Sequence, residues 1–187
     1  MSALHAVRME RRDDRLHAKK RQMDFLILEE LACSPSFGRW FLEKTGHTGP
    51  GTLELLRLLQ SDSTDDGETD FLVVHATAAG SRALLIDNRF GAAFAQPRPE
   101  RQRTRGQAGI ASGCWLEFAI VLTAPRHLLA EAEGVFDCKV SYETIRQAIA
   151  AHGDPGRMAC KLKLLDWAIA RSKKTPRSCW RGADISL

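Results

Sequence analysis

Asp87 and Arg89 stand directly behind the aliphatic run Leu84-Leu85-Ile86. Such a run reads as a strand covered on both faces, and a carboxylate at its end needs a positive partner because an unpaired buried charge is costly. The stretch TDFLVVHATAAGSRALLIDN holds two β-rich runs around a small-residue turn, the pattern of an antiparallel hairpin. With the turn centred on Ala78 and Ala79, facing residues have numbers that sum to 157, so Asp70 faces Asp87. Directly opposed Cβ atoms lie about 4.5–5.5 Å apart, close enough for both carboxylates to reach one cation. Arg89, two positions beyond Asp87, points to the same face. Two chemistries are open at such a place: Arg89 closes a structural ion pair, or a divalent metal sits between the acids with Arg89 beside it.

The elements that must carry these residues follow from periodicity. MDFLILEELACS has apolar residues at helical spacing, and SPSFGRWFLEKTG restarts with Ser34 as a cap and Pro35 at the first helical position, which predicts two helices. TLELLRLLQ, with leucines at 53, 55, 56, 58 and 59, predicts a further helix, and SDSTDDGE a polar loop. Within the hairpin, Leu72, Val74 and Leu85 share the face of Asp87, while Phe71, Val73, Leu84 and Ile86 take the other. His75 reads as a core histidine; His127 lies near a strand end without a partner, and Cys114 and Trp115 read as core or loop. GRMACKLKLLDWAIARS predicts an amphipathic helix, and KKTPRSCWRGADISL has no clear period.

A chain of 187 residues with 44% hydrophobic content suits one core. The reading is a charged arm over 1–22, one domain over 23–172 and a tail over 173–187. The net charge of +4 permits an anionic partner without requiring one. Five cysteines with no CxxC pair point to a reduced interior. With no apolar leader and no run of 18 apolar residues, the expectation is a cytoplasmic protein without a membrane partner. The oligomeric state is left open.

GETDFLVV followed by LLIDNRFGAAF resembles the core of the PD-(D/E)xK nuclease superfamily, whose bacterial members commonly show GETD, a strand ending in I-E-N-K, an apolar segment and a Gln- and Arg-rich helix. The likeness continues in order from Met23 to about Ala170, through FAIVLTAPRHLL and VFDCKVSYETIRQAI. It implies an α/β fold, a central mixed β-sheet flanked by helices with a restriction-endonuclease-like core. It also implies that Asp70 and Asp87 hold Mg²⁺ or Mn²⁺, with the main-chain carbonyl of Asn88 and the carboxylate of Glu30, or the adjacent Glu29, as further ligands. Oxygen-only ligands suit these ions. A metal so held polarises a phosphodiester and activates a bound water.

Where the family has lysine this chain has Arg89. Arginine keeps its proton, so it can clamp a phosphate but cannot act as a base. Loss of a positioned acid or base typically costs about 10²- to 10⁴-fold in rate. Arg98, Arg101, Arg103 and Arg105 suit the phosphates of a nucleic-acid backbone, or form a solvated face, with Pro97 and Pro99 expected to disturb the helix start. The expected function is metal-dependent phosphodiester hydrolysis of nucleic acid, DNA being the expected form. The alternative is a catalytically inactive nuclease-like protein that binds nucleic acid or a protein partner.

Overall fold

In the computed structural model, residues 20–46, 55–64, 67–89, 98–130, 132 and 136–173 are described. The first helix, α1, runs over residues 20–33 and turns at Ser34 into α2, Pro35–Lys44. Ser34 is extended, its Oγ accepts the Phe37 N–H, and Pro35 opens the helix where its missing N–H costs nothing. Both helices form where their apolar spacing predicts them.

Five strands follow: β1 (Leu55–Thr64), β2 (Gly67–Thr77), β3 (Gly80–Asn88), β4 (Glu117–Ala124) and β5 (Cys138–Ser141), in sheet order β1-β2-β3-β4-β5. The first three form an antiparallel meander, and β3, β4 and β5 are parallel. Parallel neighbours need crossovers. These are α3 (Arg98–Ala111) between β3 and β4, and α4 (Arg126–Leu129) between β4 and β5. Two helices close the chain's described part, α5 (Tyr142–His152) and α6 (Pro155–Ser172). The result is an α/β fold with a mixed sheet flanked by helices.

One expectation is overturned. Of TLELLRLLQ, residues 52–54 lie outside the described residues, and the rest is not a helix: Leu55 begins strand β1, which continues to Thr64 through part of the supposed polar loop and pairs with β2. Leucines at 55, 56, 58 and 59 do match a helical stripe, but strand β2 lies just beyond in the chain and offers a ladder along β1's length. Pairing of that kind outweighs local propensity. A bulge between Leu55 and Arg57 absorbs a register shift.

The sheet is sealed on both sides by alternation. Phe71, Val73, Leu84 and Ile86 pack with Ile27, Phe37, Ile149 and Leu165 from α1, α2, α5 and α6. Leu72, Val74 and Leu85 pack with Trp115, Ile120, Leu122 and Phe136 on the opposite face. Each fully buried side chain of this size contributes about 1.5–3 kcal/mol.

Helix α3 lies close on this second face because it carries two glycines. A Cβ on Gly106 would come within 2.3 Å of the Phe118 ring, and one on Gly109 within 1.8 Å of the Trp115 indole. Trp115 cannot yield easily, since it is buried and its Nε1–H donates to the Gly106 carbonyl at 3.0 Å. Gly109→Ala is therefore expected to destabilise the protein by about 3 kcal/mol, the upper end of ordinary overpacking, as read from the urea midpoint at unchanged m-value.

Candidate active site

The hairpin register is the one the turn chemistry predicts. Phe71 pairs with Ile86, Leu72 with Leu85 and Thr77 with Gly80, around a two-residue turn at Ala78 and Ala79. Continued by one step, this register would bring Asp70 of β2 opposite Asp87 of β3. The Asp70 side chain lies outside the described residues.

Asp87 follows Leu85 onto the α3 side of the sheet and is 1% exposed. Arg89, 6% exposed, reaches back to it: Nε donates to Asp87 Oδ2 at 2.8 Å and Nη2 lies 2.7 Å from the same oxygen. The main chain holds Arg89 in place, its N–H donating to the Thr123 carbonyl at 2.7 Å and extending the parallel ladder past the end of β3. The structural ion pair foreseen from the sequence is thus present. A carboxylate has about four lone-pair directions, so a cation and a guanidinium can share one such group.

Asn88, between them, points to the other face and is fully buried. Its Nδ2 donates to Asp24 Oδ1 at 2.5 Å, and its Oδ1 accepts from Thr123 Oγ1 at 2.8 Å and from the Tyr142 hydroxyl at 2.7 Å. Sequence reasoning assigned Asn88 only a main-chain role and missed Asp24, Thr123 and Tyr142. Asp24 carried a signal: it lies three and four residues before Ile27 and Leu28, hence on the buried face of α1.

Glu30, expected at the metal, is 2% exposed and engages a different partner. Lys161 Nζ of α6 donates to Glu30 Oε1 at 2.5 Å and lies 3.4 Å from Glu29 Oε1, while Glu30 Oε2 is buried without a hydrogen bond. Glu29 takes Arg157 at 2.5 Å, and this carboxylate holds the Arg157 guanidinium above its usual range. Among the described residues, no group of three or more His, Cys, Asp or Glu side chains could hold a metal ion.

The arginines of α3 divide. Arg101 and Arg103 are exposed, with Arg103 Nη2 donating to Asp137 Oδ1 at 2.8 Å; Arg105 turns inward and is buried; the Arg98 side chain lies outside the described residues. Pro99 sits in the first turn, where it leaves the helix intact. Gln102, buried beside Arg105's face of the helix with Oε1 lacking a partner, was not foreseen as a site residue.

His75 is buried, with Nδ1 3.1 Å from the Ala76 carbonyl, and His127 is exposed on α4. Burial pushes the Cys138 thiol up, against the downward pull of Arg82 and with a further push from Asp137. That leaves it a poor nucleophile near neutral pH. No helix of the described residues is long and apolar enough to cross a membrane. Compared with known proteins, the chain matches no family, no curated protein and no solved structure.

Proposed function

We propose that this chain is a restriction-endonuclease-like domain that hydrolyses the phosphodiester backbone of nucleic acid, DNA in the first instance, with a divalent cation. The observation that carries this reading is the hairpin register, Phe71 with Ile86 and Leu72 with Leu85, whose continuation by one step would bring Asp70 opposite the acid that Arg89 joins. Asp70 and Asp87, with the Asn88 carbonyl, would hold Mg²⁺ or Mn²⁺, which would supply an activated water and polarisation of the phosphodiester. The N–H groups of Arg89 that do not face Asp87 would stabilise charge on a phosphate oxygen, and the guanidinium takes no proton. Arg101 and Arg103, exposed on α3, add sequence-independent attraction for the backbone.

A second reading is favoured by one observation: the guanidinium already closes on Asp87. On that reading the domain keeps the architecture and binds nucleic acid or a protein without cutting. Cleavage of plasmid and single-stranded DNA in Mn²⁺ separates the two. Slow cleavage by the native chain, abolished in Asp70→Ala and Asp87→Ala and raised about 10²- to 10⁴-fold in Arg89→Lys, is the expected result. DNA retention without metal, and no cutting by the native chain, would select the binding reading instead.

A further inference from the structure

Residues 87 to 89 are divided between the two sides of the sheet. Asp87 turns to the α3 side, where Arg89 closes on it, and Asn88 turns to the side covered by α1 and α5. Asn88 is gripped from three elements at once: Asp24 of α1, Thr123 of β4 and Tyr142 of α5. The chemistry of the grip demands an amide, because Oδ1 must accept two hydroxyl protons while Nδ2 donates to a carboxylate. Thr123 acts twice, its hydroxyl on the Asn88 side chain and its carbonyl on the Arg89 N–H.

We infer that Asn88, with Tyr142 and Asp24, is the positioning residue of the Asp87–Arg89 pair: helices on one side of the sheet fix the geometry of the charged pair on the other. Only the catalytic consequence rests on the nuclease reading. All four grip residues are buried, so water does not compete for these bonds. A peptide whose middle side chain is held in three directions has little freedom to rotate its neighbours. Loosening the middle should therefore loosen both flanks. Asp24 becomes a remote control point, since it touches Asn88 and lies on the face away from the pair.

The Nε–H of Arg89 reports the pair directly. In the full chain with ¹⁵N-labelled arginine and tryptophan, its resonance is assigned by its loss in Arg89→Lys. Tyr142→Phe keeps the ring and removes one donor to Asn88. The expected result is a shifted Arg89 Nε–H whose exchange with water is about 2- to 10-fold faster, the range set by losing one hydrogen bond. The Trp115 Nε1–H, bonded to Gly106 on the far part of α3, should stay put, which separates positioning from general loosening. Thr123→Val repeats the test through the other donor should the tyrosine variant not fold. In Mn²⁺ cleavage, the variants should lose kcat with KM unchanged. An Arg89 signal that stays unmoved in both variants overturns the inference, even if the protein cleaves DNA. A moved signal in a protein that cuts nothing upholds the grip and removes the nuclease reading alone.

Discussion

Arg89→Met is expected to destabilise the native state by about 3–5 kcal/mol, since it removes one member of a buried ion pair. Asp87 is 1% exposed, and the substitution takes away both guanidinium contacts at 2.7 and 2.8 Å. Combining it with Asp87→Leu should recover most of the loss, because an apolar pair of similar volume is often neutral. Urea unfolding of the two single variants and the double variant closes the cycle. Added Mn²⁺ gives this experiment a second use. If Asp70 and Asp87 hold a cation, Mn²⁺ restores stability to Arg89→Met, by about 2.7 kcal/mol at a hundredfold excess over Kd, and does nothing for the double variant. An Mn²⁺-independent Arg89→Met supports the ion pair as the whole role of these residues, with no enzyme assay required.

Lys161→Met should cost a similar amount, about 3–5 kcal/mol, for the same reason on the other side of the sheet. Glu30 is already short of one hydrogen bond at Oε2, so loss of Lys161 leaves a buried carboxylate with neither oxygen satisfied by that lysine. The double variant Glu30→Leu with Lys161→Met is expected to approach native stability, measured by the same urea midpoints. By contrast the Glu29–Arg157 pair is open to water, with side chains 38% and 63% exposed, and its removal should shift the midpoint little. Finding the exposed pair more costly than the buried one would contradict this account of the α1–α6 contact.

The hairpin was legible because its information is local. Small residues at 78 and 79 set the turn, the turn sets the register, and the register decides which side chains share a face. The two-sided core followed, Phe71 and Ile86 to one face and Leu72 and Leu85 to the other. Strand β1 was misread because its leucines satisfy two periodicities, and only the presence of β2 chooses between them. Arg89 against Asp87 is a contact two residues apart and was foreseen as one of two outcomes. Glu30 with Lys161 is separated by 131 positions, and Asn88 with Asp24 by 64, so no local pattern joins them. Polar residues on otherwise apolar helix faces, Asp24 and Lys161, were the only trace they left.

That long separation bears on the order in which the chain can finish folding. Contacts far apart in sequence must wait for the intervening segment and fold slowly. Helix α1 is made before its partners, and its acids meet them only when β3 and finally α6 have left the ribosome. Through most of synthesis its apolar stripe, Ile27 and Leu31 among it, lacks the α6 cover supplied by Leu165, an interval in which sticking to other chains competes with completion.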